Sequence, residues 1–377
     1  MSQSDVIVVG AGIAGASVAA HLAETRRVVL IEGEERPGYH STGRSAALFT
    51  EIYGNALIRG LTHGSRGFLF GPPPGFAEVP LARPRGCLYI ATAEQSAALK
   101  DFAEQPDIRP ATRPMSTAEA RRLCPVLREE YVAGALHEPD SADIEVHALH
   151  QGYLRWLRSR GGRLLTLAPV HGIEHSNEAW TVRAGTDTLS APILINAAGA
   201  WADDIAALAG IARIGLVPCR RTAVLVDPPP GMEIGAWPFV SDIDDRFYFK
   251  PEAGRLFLSP ADETPTVAGD AQPEEWDVAV AVERIEAATT LNIDRPAARW
   301  AGLRTFAPDR SPVVGFSDEA AGFFWLAGQG GYGIQTAPAL SRVAAALALG
   351  LPLPPDLVDT GVHAAELSPS RFAPRAR

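Results

Sequence analysis

Apolar and polar stretches near the start of the chain predict a strand, a helix and a second strand in close succession. The apolar run Val6–Val9 predicts a short buried strand. Small residues follow it, and Ala16–Glu24 has the spacing of a helix. Val28–Ile31 predicts a second strand, which ends at Glu32. This order of elements is typical of a βαβ unit.

Three glycines between the first strand and the helix have G-x-G-x-x-G spacing, and each has a different structural role. Gly10 permits a tight turn, Gly12 lets a pyrophosphate approach the backbone, and Gly15 lets the helix lie close to the sheet. The N-terminus of the helix offers unpaired N–H groups to phosphates. Glu32 is placed to accept from both ribose hydroxyls and disfavours a 2′-phosphate. The unit therefore predicts a dinucleotide, either FAD or NAD.

Further along the chain, the pattern changes from a parallel-type strand to short antiparallel ones. Leu189–Gly199 predicts an apolar strand that runs into small residues, which implies the close approach of a cofactor or another backbone. From Val217 onward, short strands separated by Pro, Gly and Asp predict an antiparallel sheet. Gly322–Ala327 predicts a strand, and a Gly-rich turn then opens a long Ala-rich helix, whose N-terminus is a second site for an anion or carbonyl oxygen.

The segment after Glu32 is rich in Gly, Ser and Thr. Its position after the second strand predicts a loop whose N–H groups and hydroxyls face a ligand, with a helix beginning near Ser45. An ordinary loop followed by a capped helix is the alternative.

Together these elements predict an α/β fold, in which a Rossmann-like dinucleotide-binding domain is interleaved with an α+β substrate domain containing a largely antiparallel sheet. We assign residues 1–48, 143–215 and 300–350 to the first domain, and 49–142 and 216–299 to the second. Residues 351–377 begin with several prolines and are expected to form a poorly packed tail.

Composition narrows the classes of partner. The 377 residues suffice for two ordinary domains, and a net charge of −10 argues against nucleic acid or an anionic membrane surface as the main partner. No apolar run is long enough to span a bilayer, and the first strand begins too early to leave room for a signal peptide. We therefore expect a cytoplasmic protein.

The cysteines and histidines predict no metal site. Cys87, Cys124 and Cys219 lack C-x-x-C spacing, so they are expected to be reduced, buried thiols. His147 and His150 lie three apart on a predicted helix without the companions of a metal site, and are expected to be surface or packing residues.

Several segments resemble the flavin-dependent amine and D-amino-acid oxidoreductases, the family of D-amino-acid oxidase, glycine oxidase and monomeric sarcosine oxidase. These segments are GAGIAGAS, NAAGAW, AGLRTF and GQGGYGIQT. Within that family, GYHSTGRSAA, ALHQGYLR, FYFKP and the pair Arg220 and Arg221 are most similar to the bacterial D-arginine dehydrogenases. The resemblance covers nearly the whole chain and implies FAD as the cofactor.

The resemblance also implies which residues hold the FAD. The Gly-rich C-terminal loop would hold a flavin carbonyl, Ser41–Leu48 would line the ring and the pyrophosphate, and the backbone of Val170 would contact adenine. The implied cofactor-binding residues are Gly10, Gly12, Ile13, Ala14, Gly15, Glu32, Gly33, Ser41, Thr42, Gly43, Arg44, Ser45, Ala46, Ala47, Leu48, Val170, Ala198, Gly199, Gly302, Gly330, Gly331, Tyr332, Gly333, Ile334 and Gln335.

A carboxylate-binding group of side chains is implied in the same way. Arg221 and Arg304 match cations that bind the substrate carboxylate, a group that an arginine can hold through two hydrogen bonds. Tyr53 and Tyr248 match tyrosines over the substrate, and these four side chains are the implied catalytic residues. Gly331 would offer its backbone carbonyl to the substrate amine.

Two alternatives stay open for these arginines. Arg304 could be a surface residue, although it lies among apolar residues in a predicted strand. Arg220 could point inward in place of its neighbour Arg221.

Two positions depart from the pattern of the D-arginine dehydrogenases. Cys87 stands where they have an acidic residue, and Leu48 stands where they have a histidine. Both would line the substrate pocket, which then lacks the carboxylate that pairs with a guanidinium. Glu51 could substitute, although it fits better as a capping or surface acid. The segment Thr305–Val314 contains no cysteine, which implies non-covalent FAD.

The resemblance therefore implies an FAD enzyme that oxidises the Cα–N bond of a D-amino acid with a neutral or apolar side chain. The flavin would take a hydride from Cα, and the imine would be hydrolysed to a 2-oxo acid and ammonia. The electron acceptor stays unassigned. Three alternatives remain, namely oxidation of glycine, sarcosine or another secondary amine, oxidation of a 2-hydroxy acid or glycerol 3-phosphate, and a flavoprotein without turnover.

Overall fold

The structure is a computed structural model that describes residues 2–372, with the side chains from Ser4 onward. Met1 and residues 373–377, the end of the predicted tail, lie outside the described residues. The strands are β1 Ser2–Gln3, β2 Val6–Val9, β3 Val28–Ile31, β4 Leu48–Phe49, β5 Ala82–Pro84, β6 Cys87–Ala91, β7 Arg113–Met115, β8 Gly134–Glu138, β9 Ala142–Ile144, β10 Arg163–Leu165, β11 Val170–Ser176, β12 Ala179–Ala184, β13 Asp187–Ala191, β14 Ile193–Asn196, β15 Val217–Val226, β16 Phe239–Asp242, β17 Tyr248–Glu252, β18 Arg255–Ser259, β19 Thr264–Pro265, β20 Ala298–Phe306, β21 Val313–Phe316 and β22 Phe323–Ala327. The helices are α1 Ile13–Leu22, α2 Ala56–Phe70, α3 Ser96–Ala103, α4 Thr117–Leu123, α5 Val146–Ser159, α6 Ala202–Leu208, α7 Glu275–Ala288, α8 Gly333–Ala348, α9 Pro355–Asp359 and α10 Ala364–Leu367.

A six-stranded sheet carries the predicted βαβ unit, in the order β10-β3-β2-β14-β22-β21. Its first five strands are parallel, and β21 is antiparallel to β22. Strands β2, β3 and β22 are buried along their whole length, as expected for apolar runs covered on both faces. Helices α1, α2, α5 and α8 pack on one face, and α6 with the sheet β1-β13-β12-β11 packs on the other.

A second, nine-stranded sheet has the order β19-β15-β18-β17-β16-β6-β8-β7, with β20 also paired to β15. Its pairs are antiparallel except β6 with β16. Helices α4 and α7 pack on one face, while Tyr248 and Phe257 lie on the other.

The predicted fold class is confirmed. Strand β20 belongs to this sheet, although the sequence assigns residues from 300 onward to the dinucleotide-binding domain.

Two local predictions in the dinucleotide-binding half are wrong. No helix begins at Ser45, because residues 45–47 are irregular and Leu48–Phe49 pair with β9. The single strand predicted over Leu189–Gly199 is divided at Pro192, which has no N–H to donate to a neighbouring strand.

The segment after Leu351 is well packed, contrary to expectation. Leu357, Val362 and Leu367 are fully buried in the cluster that contains α2 and α8. Arg371 donates to Asp309 at 2.7 Å and thereby ties this segment to the loop after β20. Within residues 2–372, no helix has both the length and the apolar character needed to cross a membrane.

Candidate active site

A cavity of about 460 Å³ lies where the two large sheets meet. That volume is in the usual range for a small-molecule or cofactor site. The wall contains many of the residues predicted to bind cofactor or substrate. They are Gly10, Gly12, Ile13, Ala14, Glu32, Gly33, Ser41, Thr42, Arg44, Ser45, Ala46, Val170, Ala198, Gly199, Arg221, Tyr248, Gly302, Arg304, Gly330, Gly331, Gly333 and Ile334.

The other predicted residues lie behind this wall or beside it, and they are Gly15, Gly43, Ala47, Leu48, Tyr53, Cys87, Tyr332 and Gln335. Some of them contact a wall residue or one another. The N–H of Gly43 donates to the carbonyl of Gly38 at 2.8 Å and closes the turn in that loop. The Tyr332 ring lies 4.9 Å from that of Tyr53, measured between centroids.

The glycine turn after β2 has the geometry that the spacing predicts. Gly10 has a φ of +97°, and a Cβ there would lie 2.5 Å from the carbonyl oxygen of Ala197. A Cβ on Gly15 would lie 1.8 Å from the carbonyl oxygen of Gly10, so α1 can approach the turn only with glycine at that position. These two roles are confirmed, and the role of Gly12 at a pyrophosphate stays a prediction. Thr42 accepts a hydrogen bond from the N–H of Ile13 at 2.9 Å, which satisfies one donor of the first helical turn.

The carboxylate of Glu32 lies at the end of β3 on the cavity wall. Its oxygens accept from the N–H groups of Ala11 at 2.9 Å and Glu34 at 3.1 Å. Each oxygen keeps a further lone pair, so the predicted ribose contact is sterically possible and stays a prediction. His150 Nε2 contacts the Ala11 carbonyl at 2.9 Å, which confirms this histidine as a packing residue.

The loop before β4 is tied to β20 across the cavity. Ser41 donates to the carbonyl of Leu303 at 2.6 Å. Arg44 donates to the carbonyl of Ala301 at 2.9 Å and forms an ion pair with Asp270. The side chains of Ser41 and Arg44 therefore hold the loop in place beside the site.

Three residues of the wall have a buried side-chain polar atom without a hydrogen-bond partner among residues 2–372. These atoms are His40 Nδ1, Thr305 Oγ1 and Gln329 Nε2. Unsatisfied buried polar atoms are rare in proteins, and a ligand with nitrogen and oxygen atoms along its length, such as FAD, can pair with them. The residues present therefore fit FAD. Sequence reasoning missed all three, although each adjoins a predicted residue, at position 41, 304 or 330.

The guanidinium of Arg304 faces the cavity and has one side-chain hydrogen-bond partner. Its Nη1 donates to the Tyr53 hydroxyl at 3.2 Å, and within residues 2–372 no carboxylate forms an ion pair with it. A Cβ on Gly331 would lie 2.8 Å from that nitrogen, so glycine leaves room for the guanidinium. Burial acts to lower the pKa of Arg304, but the hydroxyls of Tyr53 and Tyr248 act in the other direction and hold the pKa above its usual value.

The structure distinguishes the two neighbouring arginines on β15. The Arg221 guanidinium lies on the cavity wall, 5.8 Å from the centre of the Tyr248 ring and 3.1 Å from a carboxylate oxygen of Glu263. Arg220 points to the opposite face of the sheet, where it donates to Asp277 at 2.8 Å. Successive side chains of a strand alternate between faces, so Arg221 alone of the two faces the cavity.

Tyr248 lies between aromatic neighbours and two cations. Its ring is stacked between those of Phe239, at 5.1 Å, and Phe257, at 6.0 Å between centroids. Burial acts to raise its pKa, but Arg304 and Arg221 lower the pKa more, and the net pKa lies below its usual value.

The two residues that depart from the D-arginine dehydrogenase pattern lie in the hydrophobic cluster around Tyr248, and neither is on the cavity wall. Cys87 is fully buried, and burial holds the pKa of its thiol well above the usual value. Leu48 is partly buried at the edge of the cluster. Glu51 contacts His63 at 3.1 Å on α2, so it is already paired.

Asp245 is an acid near the arginines that sequence reasoning missed. It lies in the turn between β16 and β17, with a φ of +54°. Desolvation raises the pKa of its carboxyl group, against the opposing effect of Arg221 and Arg304. No sequence motif marks this position, because its proximity to both arginines arises from the hairpin.

Comparisons with known proteins agree with this arrangement. A family model described as DAO, FAD dependent oxidoreductase, matches residues 5–347. The uncharacterized oxidoreductase YurR of Bacillus subtilis is 26% identical, covering 91% of this chain and 94% of its own length. Glycine oxidase of Geobacillus kaustophilus is 24% identical, covering 97% of this chain and 95% of its own length.

Solved structures share the fold. The crystal structure of glycine oxidase from Geobacillus kaustophilus aligns with a TM-score of 0.81 at 22% identity, covering 93% of this chain and 96% of that one. L-Proline dehydrogenase from P. horikoshii aligns with a TM-score of 0.82 at 22% identity, covering 98% of each chain.

Proposed function

We propose that this chain, which belongs to the family of FAD dependent oxidoreductases whose model matches residues 5–347, oxidises the Cα–N bond of a D-amino acid. FAD is the cofactor of this family and supplies the acceptor for the two electrons. Non-covalent attachment is part of the proposal, because the three cysteines are buried and none lines the cavity. The imine product would be hydrolysed to a 2-oxo acid and ammonia.

One observation carries the proposal. Arg304 faces the cavity, bonds to the Tyr53 hydroxyl, and has no carboxylate partner within residues 2–372. A guanidinium withdrawn from water is costly unless an anion pairs with it. The carboxylate of an amino acid would complete this pair, with two oxygens that match the fork of an arginine.

The other residues of the site would orient the substrate. Arg221 would add a second positive charge, although its guanidinium already forms an ion pair with Glu263. Tyr248 would cover the substrate from water, and the carbonyl of Gly331 would accept from the amine. The stacked rings of Tyr248 and Phe257 favour an apolar side chain.

Two further substrate classes have specific support. The match to glycine oxidase favours glycine as an alternative. A 2-hydroxy acid has the same carboxylate, so Arg304 does not discriminate against it. L-Proline dehydrogenase, whose substrate is an L-amino acid, has the same fold, so the D configuration needs its own test.

The experiment is anaerobic reduction of the bound flavin by a panel of matched compounds. The panel contains D- and L-leucine, D- and L-phenylalanine, glycine, sarcosine and D-lactate. We expect the two D-amino acids to abolish the visible absorbance of the flavin fastest. Faster reduction by an L-amino acid, by glycine or sarcosine, or by D-lactate would replace the proposal with the corresponding alternative.

A further inference from the structure

We propose that Glu138 is a positioning residue for Tyr53. It fixes the segment from Thr50 to Asn55, which contains Tyr53. This inference rests on the proposed carboxylate site, because it assigns a residue that orients one partner of Arg304. Glu138 lies on β8, outside the cavity wall, and only 2% of its surface is exposed.

Both carboxylate oxygens of Glu138 bind the start of the segment. Oε2 accepts from the hydroxyl of Thr50 at 2.7 Å, and Oε1 accepts from the N–H of Glu51 at 2.9 Å. Two consecutive residues are therefore held by one buried side chain, and Tyr53 follows two residues later. The fixed backbone at Thr50 and Glu51 thus determines the position from which the Tyr53 side chain extends.

Gln335 holds Thr50 from the other side. Its Oε1 accepts from the N–H of Thr50 at 3.3 Å, and its Nε2 donates to the hydroxyl of Thr62 at 2.9 Å. Gln335 is on α8, directly after the Gly-rich loop of the cavity wall. The predicted cofactor-binding residue Gln335 therefore serves in this structure as a second support for the segment.

The far end of the segment has separate anchors. Asn55 accepts from the N–H of Ile58 at 3.0 Å as the cap of α2, and it donates to Ser311 at 3.0 Å. Loss of Glu138 would leave these anchors in place. We therefore expect a shift of the Tyr53 hydroxyl rather than unfolding of the segment.

Hydrogen bonds to the segment, and not an ion pair, account for a carboxyl group at this buried position. Within residues 2–372 no cation forms an ion pair with Glu138. Burial raises the pKa of its carboxyl group, and Thr50, Ser141 and the N–H of Glu51 act in the opposite direction. A buried acid without a counter-ion costs folding free energy that an apolar side chain of similar size would avoid.

The test compares three variants of the holoprotein with the wild type. Glu138→Leu removes both acceptors, Glu138→Asp withdraws them by one methylene, and Glu138→Gln can keep both bonds because the Thr50 hydroxyl can also accept. Glu286→Gln is the control, because Glu286 also accepts from a backbone N–H, that of Ile293 at 2.7 Å, away from the cavity wall. The readouts are kcat and KM for D-leucine, and the Kd of benzoate, followed by the change in flavin absorbance.

We expect Glu138→Leu and Glu138→Asp to raise KM and the benzoate Kd about tenfold, with kcat changed less than about twofold. Glu138→Gln and Glu286→Gln should stay close to the wild type. In a Tyr53→Phe background, Glu138→Leu should have no further effect on the benzoate Kd, because the hydroxyl it positions is gone.

Two results would overturn the inference while the proposed function survives. One is an unchanged benzoate Kd in both Glu138→Leu and Glu138→Asp, and the other is an undiminished effect of Glu138→Leu in the Tyr53→Phe background. A wild type that binds no benzoate would overturn both the inference and the carboxylate site on which it rests.

Discussion

The hydroxyl of Tyr53 accepts a hydrogen bond from Nη1 of Arg304 at 3.2 Å, across 251 positions of the chain. Tyr53 lies in the segment between β4 and α2, whereas Arg304 lies on β20 of the nine-stranded sheet. The bond therefore joins two parts of the fold at the cavity. It fixes one side of the guanidinium and leaves its other donors for a ligand.

Tyr53→Phe should weaken substrate binding, because it removes the one side-chain acceptor that orients Arg304. A hydrogen bond to a charged group contributes about 1.5–3 kcal/mol, so KM for D-leucine should rise roughly tenfold or more. Tyr131→Phe is the matched control, since Tyr131 packs on Phe247 away from the cavity wall. Equal KM values for the two variants would show that the Tyr53 hydroxyl has no role in binding.

The bound flavin should be released when the protein is denatured. Cys87, Cys124 and Cys219 are buried, and none of them lines the cavity, so no thiol is placed to bond to the ring. Precipitation of the purified protein with acid should leave yellow FAD in the supernatant. Flavin that stays with the precipitated chain would contradict non-covalent binding.

Cys87→Glu should destabilise the fold. Cys87 is fully buried on β6, and its register partner on β8 is Glu138. A second buried acid beside the first should lower the free energy of unfolding by about 3–5 kcal/mol. Thermal unfolding should show a much lower Tm than for Cys87→Val, the apolar control.

If Cys87 lined the substrate pocket, as the resemblance implies, Cys87→Glu would supply the missing carboxylate and favour D-arginine instead. That outcome requires the substrate side chain to reach position 87, which lies behind the cavity wall. A stable Cys87→Glu variant that prefers D-arginine would restore the interpretation.

Wild-type protein should prefer D-leucine and D-phenylalanine to D-arginine and D-lysine. Each buried CH₂ contributes about 0.8 kcal/mol, and the rings of Tyr248 and Phe257 offer an apolar surface. Steady-state kinetics on these four compounds tests this preference. If the cationic substrates are preferred, the acid to test is Asp245, since Glu51 is paired with His63.

Local patterns predicted the dinucleotide half of the fold well, because the physical constraints there are local. Val28–Ile31 is a strand with the predicted ends. The glycine spacing predicted both the turn at Gly10 and the close approach of α1 at Gly15. The helix near Ser45 was wrong, because Leu48–Phe49 gain a strand partner that is distant in sequence.

The candidate site was predicted only in part, because long-range packing determines the rest. Neighbouring arginines 220 and 221 have the same local pattern, and only the strand pairing decides which faces the cavity. The position of Asp245 depends on a hairpin turn, and that of Glu138 on the pairing of β6 with β8. No short motif contains this information.

The kcat/KM of D-leucine and D-leucinamide, each measured with the wild type and with Arg304→Met, tests the central claim most directly. A pair of desolvated charges contributes roughly 2–5 kcal/mol, so Arg304→Met should lower kcat/KM for the acid by about 30-fold or more. The amide lacks the carboxylate, so it should be a poor substrate of the wild type and should lose little in the variant. An unchanged kcat/KM for D-leucine in Arg304→Met would contradict the claim that Arg304 binds the substrate carboxylate.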